Sequence, residues 1–268
     1  MDISDLFIGM ANLLSGVKSL KSGFESIGGA LSGVKITSEG TGATLSEHKV
    51  GSSIEDRIKH IRDMVQKGKL DPKVRAFTVK VVSVKCAKCP SCGTKNALGW
   101  PGDRVRFGLN DSVRGTLKED SWVCGKCASR NSLDLTTWCV PEKNWKREVV
   151  SVFEAVRANI RYVRDIANVD TYQHPKRTLE WGGGDCDCYT IALCSMLLSI
   201  GYPVKLRVME TKHPTTGRRA GTWNHILMLV GLPPRGPTSW LPLDASLDKN
   251  PGWYPPKSMI YRVKDFPI

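Results

Sequence analysis

Three strings in this chain carry side chains with the means for acyl-transfer chemistry. Trp181 to Val204 reads W-G-G-G-D-C-D-C-Y-T-I-A-L-C-S-M-L-L-S-I-G-Y-P-V, Trp223 to Val230 reads W-N-H-I-L-M-L-V, and Trp240 to Asp244 reads W-L-P-L-D. In the first, three glycines admit a backbone turn, Asp185 is suited to cap a helix, and Ile191, Ala192, Cys194, Met196, Leu197, Leu198 and Ile200 give that helix an apolar body closed by Gly201 and Pro203. Cys186 is therefore expected at a helix N-terminus, where the dipole and free backbone N–H groups favour thiolate over thiol and can help hold an oxyanion. A cysteine nucleophile needs a base, and His225 heads a β-prone run; the base needs an orienting group, and Asp244 ends a strand-like run. Cys188 is a second thiol nearby, but residues i and i+2 of a helix do not share a face, so Cys186 is the better nucleophile.

A second constellation is built from cysteine pairs, C-A-K-C-P-S-C-G-T-K from Cys86 to Lys95 and V-C-G-K-C-A from Val123 to Ala128. Two C-x-x-C knuckles aim four thiolates at one point, which is the tetrahedral set that zinc takes. Cys89, Cys92, Cys124 and Cys127 fit this pattern and resemble the zinc-ribbon family; Cys86 also stands in C-x-x-C register with Cys89, so it could replace Cys89 or Cys92. Such a zinc is expected to be structural, holding together a module with little core of its own. Lys85, Lys88, Lys95, Arg104, Arg106, Lys126 and Arg130 surround the pairs together with Trp100 and Trp122, which leaves nucleic-acid contact as a secondary reading.

The remaining sequence must position these groups. Apolar residues at Ile3, Leu6, Met10, Leu13, Val17, Leu20, Phe24, Ile27 and Leu31 keep a three-and-four spacing, with Gly9, Gly16 and Gly23 recurring every seventh residue. That pattern predicts an amphipathic assembly helix over 1–33 that meets a close-packed partner: another copy, a larger assembly or a membrane interface. A polar Gly, Ser and Thr-rich stretch reads as a linker over 34–52. Ser53 is then placed to cap a helix with Ile54, Ile58, Ile61 and Val65 on one face, ending at Gly68, with Asp71-Pro72 beyond; this lead-in occupies 53–85. The ribbon is assigned to 86–130, and a core over 145–268 begins with a helix from Trp145 to Tyr162 and continues into strands. The expected fold class is α+β, with the cysteine helix packed on an antiparallel sheet that bears His225 and Asp244.

Composition bounds the function. With 268 residues, 41% hydrophobic and 24% charged, the chain is of ordinary globular type, neither disordered nor fibrous. The formal charge of +13 favours acidic partners without choosing among nucleic acid, anionic membrane and acidic protein. No stretch is long and apolar enough for a transmembrane helix, and the opening MDISDLF lacks the basic and apolar regions of a secretory leader. The nine cysteines are accordingly expected to be metal ligands or catalytic groups in a reducing cytoplasm.

Taken together, G-G-G-D-C-D with its apolar helix and G-Y-P-V, then N-H-I, then W-L-P-L-D, resemble the transglutaminase-like superfamily of papain-type fold. Within it the sequence is most similar to transglutaminase-like proteins of tailed phages. Asn159 to Asp165, Arg177 to Glu180, Gly252 to Pro256, and Arg57 to Arg75 share that similarity, which spares only the N-terminal heptads and the ribbon. The resemblance implies Cys186 as nucleophile, His225 as general base, Asp244 as orienting acid, and a protein or peptide substrate cleaved or crosslinked at an amide, with hydrolysis favoured. It also implies a product of the host bacterial cytoplasm that associates with a virion or its assembly, partnered by other virion proteins or by itself through the N-terminal helix. Cys188 departs from the family, in which an acidic residue is common at that place. Peptide N-glycanases also join paired C-x-x-C knuckles to such a core, but Cys186 lacks their G-E-W context. Because superfamily members also serve as binding domains, the alternative is an inactive structural virion protein.

Overall fold

The structure is a computed structural model that describes residues 45–49, 53–101, 112–165, 169–213 and 216–268. The expected assembly helix over 1–33 lies outside the described residues.

Strand β1, Leu45–Lys49, falls inside the stretch expected to be a linker and pairs antiparallel with a later strand. Helix α1, Ile54–Leu70, begins where Ser53 accepts a hydrogen bond from the Asp56 N–H, and it buries Ile58, Ile61, Met64 and Val65 along one face. The lead-in contains a second helix where one was expected: Asp71 closes α1 and caps α2, Pro72–Val82, whose proline occupies a first-turn position that needs no N–H. Gly68 does not end α1. It lies within the helix because a Cβ there would come 2.2 Å from Pro175 Cγ and 2.5 Å from Ser195 Oγ, so only glycine lets α1 approach this closely.

The inserted module is a six-stranded sheet made of β2 (Lys85–Lys88), β3 (Lys95–Gly99), β4 (Val113–Leu117), β5 (Ser121–Val123), β6 (Arg130–Ser132) and β7 (Thr136–Trp138), in the order β6-β5-β4-β3-β2-β7. Among the described residues of this sheet only β3 and β4 run parallel. Its small core centres on Trp122, fully buried and donating its indole N–H to the Ser132 carbonyl at 3.0 Å. The sheet outlasts the expected boundary at 130, because β7 returns to pair with β2. There Cys86 and Cys139 form a disulfide, their Cα atoms 5.0 Å apart across the β2–β7 edge. That corrects two expectations: Cys86 is not available as a zinc ligand, and not every thiol is metal-binding or catalytic. Neighbouring strands bring Cβ atoms within disulfide reach, which spacing along the chain does not show.

The core proper comprises α3 (Trp145–Asn159), β8 (Arg161–Tyr162), β9 (Val169–Gln173), α4 (Pro175–Trp181), β10 (Gly183–Gly184), α5 (Cys186–Ser199), β11 (Val204–Thr211), β12 (His225–Leu232), β13 (Ser239–Leu243) and β14 (Ile260–Pro267). The α3 helix stops at Asn159, and Arg161 and Tyr162 turn out extended, pairing with Gly183 and Gly184. Helix α5 is apolar on all sides and is wrapped by α1, α2, α3 and α4 on one side and the sheet on the other, the pattern of a central helix. The sheet is antiparallel in the order β13-β12-β11-β14, and Thr190 of α5 ties to it by donating to the Ile226 carbonyl at 3.5 Å. This mixed helix-and-sheet core agrees with the α+β expectation.

Candidate active site and metal centre

Asp185 caps α5 by accepting from the Cys188 N–H at 3.3 Å, so Cys186 is the first residue of the helix. Gly184, just before the cap, has no room for a side chain: a Cβ would stand 2.4 Å from Cys188 Cβ. The close approach keeps β10 against the helix and beside β8, which brings Tyr162 near Cys186. Burial, then the charges of Cys186 and Asp185, push the Tyr162 phenol up to about 12, although its ring is half exposed.

His225 opens β12 and Asp244 follows β13, and the two strands are hydrogen-bonded neighbours. His225 Nε2 stands 2.6 Å from Asp244 Oδ2. The other carboxylate oxygen accepts from the Ser246 hydroxyl at 2.7 Å and its N–H at 3.2 Å, so the acid is held at both oxygens. An ionised carboxylate can only accept, which puts the imidazole proton on Nε2 and leaves the Nδ1 lone pair for a proton from elsewhere. Ser246 is a site residue that sequence reading missed; a serine two residues after an aspartate is a common turn pattern and gives no signal of its own.

The run into His225 is fixed from several sides. Asn224 donates its N–H to the Met209 carbonyl at 3.1 Å, and its Oδ1 accepts from the Thr211 N–H at 2.8 Å, across the bulge in β11. Glu210, fully buried at that bulge, accepts from Arg219, Arg262 and the Gly221 N–H. The Arg219 hydrogen bond, then that of Arg262, holds its carboxyl down at about 2 against the opposing effect of burial. Arg262 in turn lies over the Trp223 ring at 4.6 Å.

The electrostatics around Cys186 differ from the expectation of a resting thiolate. Burial raises its thiol well above the usual range, and the carboxylates Asp187, Asp185 and Asp244 push the same way. A helix dipole contributes roughly half a charge at the N-terminus and is outweighed here. Burial and the neighbouring carboxylates thus favour the thiol form of Cys186 over the thiolate. Cys188 is buried, donates to the Thr171 carbonyl at 3.5 Å, and is also raised by burial, so it offers no competing nucleophile.

The other expected group also assembles. The sulfur atoms of Cys89, Cys92, Cys124 and Cys127 all lie within 4.8 Å of one another, with Cys89–Cys127 at 3.6 Å and Cys92–Cys124 at 3.7 Å. A tetrahedron with metal–sulfur bonds of about 2.3 Å has edges of about 3.8 Å, so the four thiols are compatible with a metal site. The two knuckles repeat one backbone pattern. Cys89 N–H donates to Thr94 O and Gly93 N–H to Cys89 O, as Cys124 N–H does to Ser129 O and Ala128 N–H to Cys124 O. Gly93 and Ala128 hold matching left-handed positions, φ 69° and 58°. The Ser129 hydroxyl beside Cys89 draws that thiol down to about 6, while the Cys127 and Cys89 thiols push Cys92 up, as sulfur atoms gathered at one point share their protons.

The structure thus puts a cysteine at the head of a buried helix and a histidine–aspartate pair on neighbouring antiparallel strands of the sheet that packs on that helix. Residues 135–245 match the model of the transglutaminase-like superfamily, a stretch that contains Cys186, His225 and Asp244 together. The protein thus carries a transglutaminase-like superfamily domain, and the members of that superfamily are generally cysteine-dependent enzymes. No curated protein and no solved structure matches the chain. No helix of the described residues is long and apolar enough to cross a membrane.

Proposed function

We propose that the protein is a cysteine acyl-transfer enzyme acting on an amide bond, with Cys186 as nucleophile, His225 as general base and Asp244 as the acid that orients it. The observation that carries this reading is the 2.6 Å contact of His225 Nε2 with an Asp244 carboxylate whose second oxygen is fixed by Ser246. A neutral thiol calls for a base at the moment of attack. In the reading, His225 Nδ1 takes the Cys186 proton as sulfur adds to the carbonyl carbon, and the carbonyl oxygen becomes the oxyanion. The oxyanion then collapses, the C–N bond breaks, and His225 returns the proton to the departing amine, leaving a thioester. Water or a second amine attacks the thioester, His225 accepts its proton, and the Cys186 thiol is restored; water gives hydrolysis and an amine gives crosslinking. Hydrolysis is the favoured outcome by resemblance to tailed-phage proteins, which also supports a setting in or around a virion.

The metal we assign to Cys89, Cys92, Cys124 and Cys127 is a structural zinc, supported by an all-thiolate donor set and by two matched knuckles. It would hold the inserted sheet together, and no step of the reaction passes through it.

Intact-mass labelling with iodoacetamide at neutral pH tests the reading. With zinc on the four clustered thiols, alkylation should fall on Cys186, slow sharply in His225→Ala and vanish from that position in Cys186→Ala. A scaffold that has given up catalysis predicts instead that Cys186 reacts no faster with His225 than without it.

A further inference from the structure

The guanidinium of Arg57 is used on all sides. It lies on α1, outside the stretch that matches the superfamily, yet its Nε donates to the Tyr172 hydroxyl at 3.0 Å and one terminal nitrogen pairs with Asp170 at 3.0 Å. The other terminal nitrogen reaches the Trp223 carbonyl at 3.4 Å, two residues before His225. A planar fork with its donors fixed in direction suits such a three-way junction, whereas an ammonium does not. The Trp223 ring is held over the same span by Arg262, so the residue is gripped through both carbonyl and ring. The Arg57 charge also acts on the buried Asp187, which follows the nucleophile.

We infer that Arg57 is a positioning residue of the Cys186–His225 site: it fixes the chain that delivers His225 and supplies positive charge against the carboxylates beneath the nucleophile's helix. This inference rests on the acyl-transfer reading given above. The groups acting on Cys186 are Asp185, Asp187 and Cys188 from its own helix and cap and Asp244, the partner of His225, from the sheet, and Cys186 in turn acts on Tyr162 of β8. Those facing Arg57 are Asp170 and Tyr172 from β9 and Asp187 from α5. Carboxylates dominate both sets, and Arg57 is a cation set against Asp170 and Asp187. Removing it makes a Cys186 thiolate harder to form, so reaction at sulfur moves to higher pH; loss of the fork lowers the rate that His225 supplies.

The experiment is the rate of Cys186 alkylation by iodoacetamide as a function of pH, in the full chain and in Arg57→Gln, Arg57→Lys, Tyr172→Phe and His225→Ala. Arg57→Gln should shift the profile up by about one pH unit, which is about tenfold in rate at fixed pH on the rising limb. Arg57→Lys should restore the position of the profile but not its plateau, since it keeps the charge and loses the fork. Tyr172→Phe, which removes the hydroxyl that accepts from Arg57 and keeps the ring, should lower the plateau slightly without moving the profile, and together with Arg57→Lys it decides the matter if Arg57→Gln does not fold. A wild-type profile unchanged by His225→Ala would defeat the acyl-transfer reading itself. A His225-dependent wild-type profile reproduced unaltered in Arg57→Gln, or a full recovery of plateau and position in Arg57→Lys, would overturn the positioning role alone.

Discussion

Gly68→Ala sets two effects of known size against each other. Replacing a glycine inside a helix by alanine is worth about 1 kcal/mol of helix propensity in favour of the variant. Against it stands the new Cβ, 2.2 Å from Pro175 Cγ, 2.9 Å from Pro175 Cδ and 2.5 Å from Ser195 Oγ. Carbon atoms rest at about 3.5 to 4.0 Å, so α1 must retreat by more than an ångström or the proline ring must move. The ring cannot step aside by a rotamer change, and Ser195 is committed to the Val65 carbonyl at 3.3 Å. Overpacking of this kind costs about 1 to 3 kcal/mol, and the closeness of two contacts places it at the upper end. The expected net loss is about 2 kcal/mol, or about 4 to 8 °C in Tm for a domain of this size. Thermal and urea denaturation of the purified variant measure it. Because α1 carries Arg57, the retreat should also slow alkylation of Cys186. A variant as stable as the parent, or more stable by the helix-propensity gain, would refute the close seating of α1 on α4 and α5.

Other consequences are equally open to measurement. Glu210, drawn from its usual 4.5 to about 2 chiefly by Arg219, contributes stability that is present above 4.5 and lost as pH falls through about 2; Glu210→Gln should flatten that part of the curve in urea denaturation across acid pH. Removing the metal with a chelator should shift the emission of the buried Trp122 to the red as the inserted sheet loosens, and metal analysis beforehand should find one zinc per chain. Ala128→Gly relieves a left-handed alanine and should stabilise the second knuckle by about 1 kcal/mol, read as slower zinc loss to a competing chelator. Asp244→Asn should leave the fold intact, since Ser246 still has an oxygen to meet, yet depress acyl transfer by orders of magnitude through the wrong histidine tautomer.

Much of this site was legible in the chain because each group sits inside a string whose local structure is self-determined. Asp185 and the apolar run after it dictate a capped helix, and the β-prone runs at His225 and before Asp244 dictate strands, so the candidate residues announce themselves. Their protonation did not. A helix N-terminus argues for a thiolate, but the carboxylates around Cys186 gather from the cap, the helix and β13, and burial adds to them. Arg57 was equally silent, since its worth lies in contacts with Asp170, Tyr172 and Trp223, far away in sequence. Gly68 reads locally as a helix stop, and only the packing of α4 and α5 shows why it is tolerated inside α1. The polar run at β1 carries no apolar alternation, so nothing local distinguishes it from linker. In the inserted sheet, C-x-x-C spacing identified the four clustered thiols, whereas the partner of Cys86 was set by the return of β7.

The central claim is that His225, held by Asp244, activates Cys186 for attack on an acyl group. Its most direct measurement is the mass of the protein after reaction with p-nitrophenyl acetate, an activated acyl donor. Wild type should take up one acyl group, mapped to Cys186, in step with a burst of p-nitrophenolate, and release it to water or to an added primary amine. Cys186→Ala should show neither acyl group nor burst, and His225→Ala should form the same adduct far more slowly. Acetylation spread over lysines, with no burst and no dependence on His225, would contradict the account.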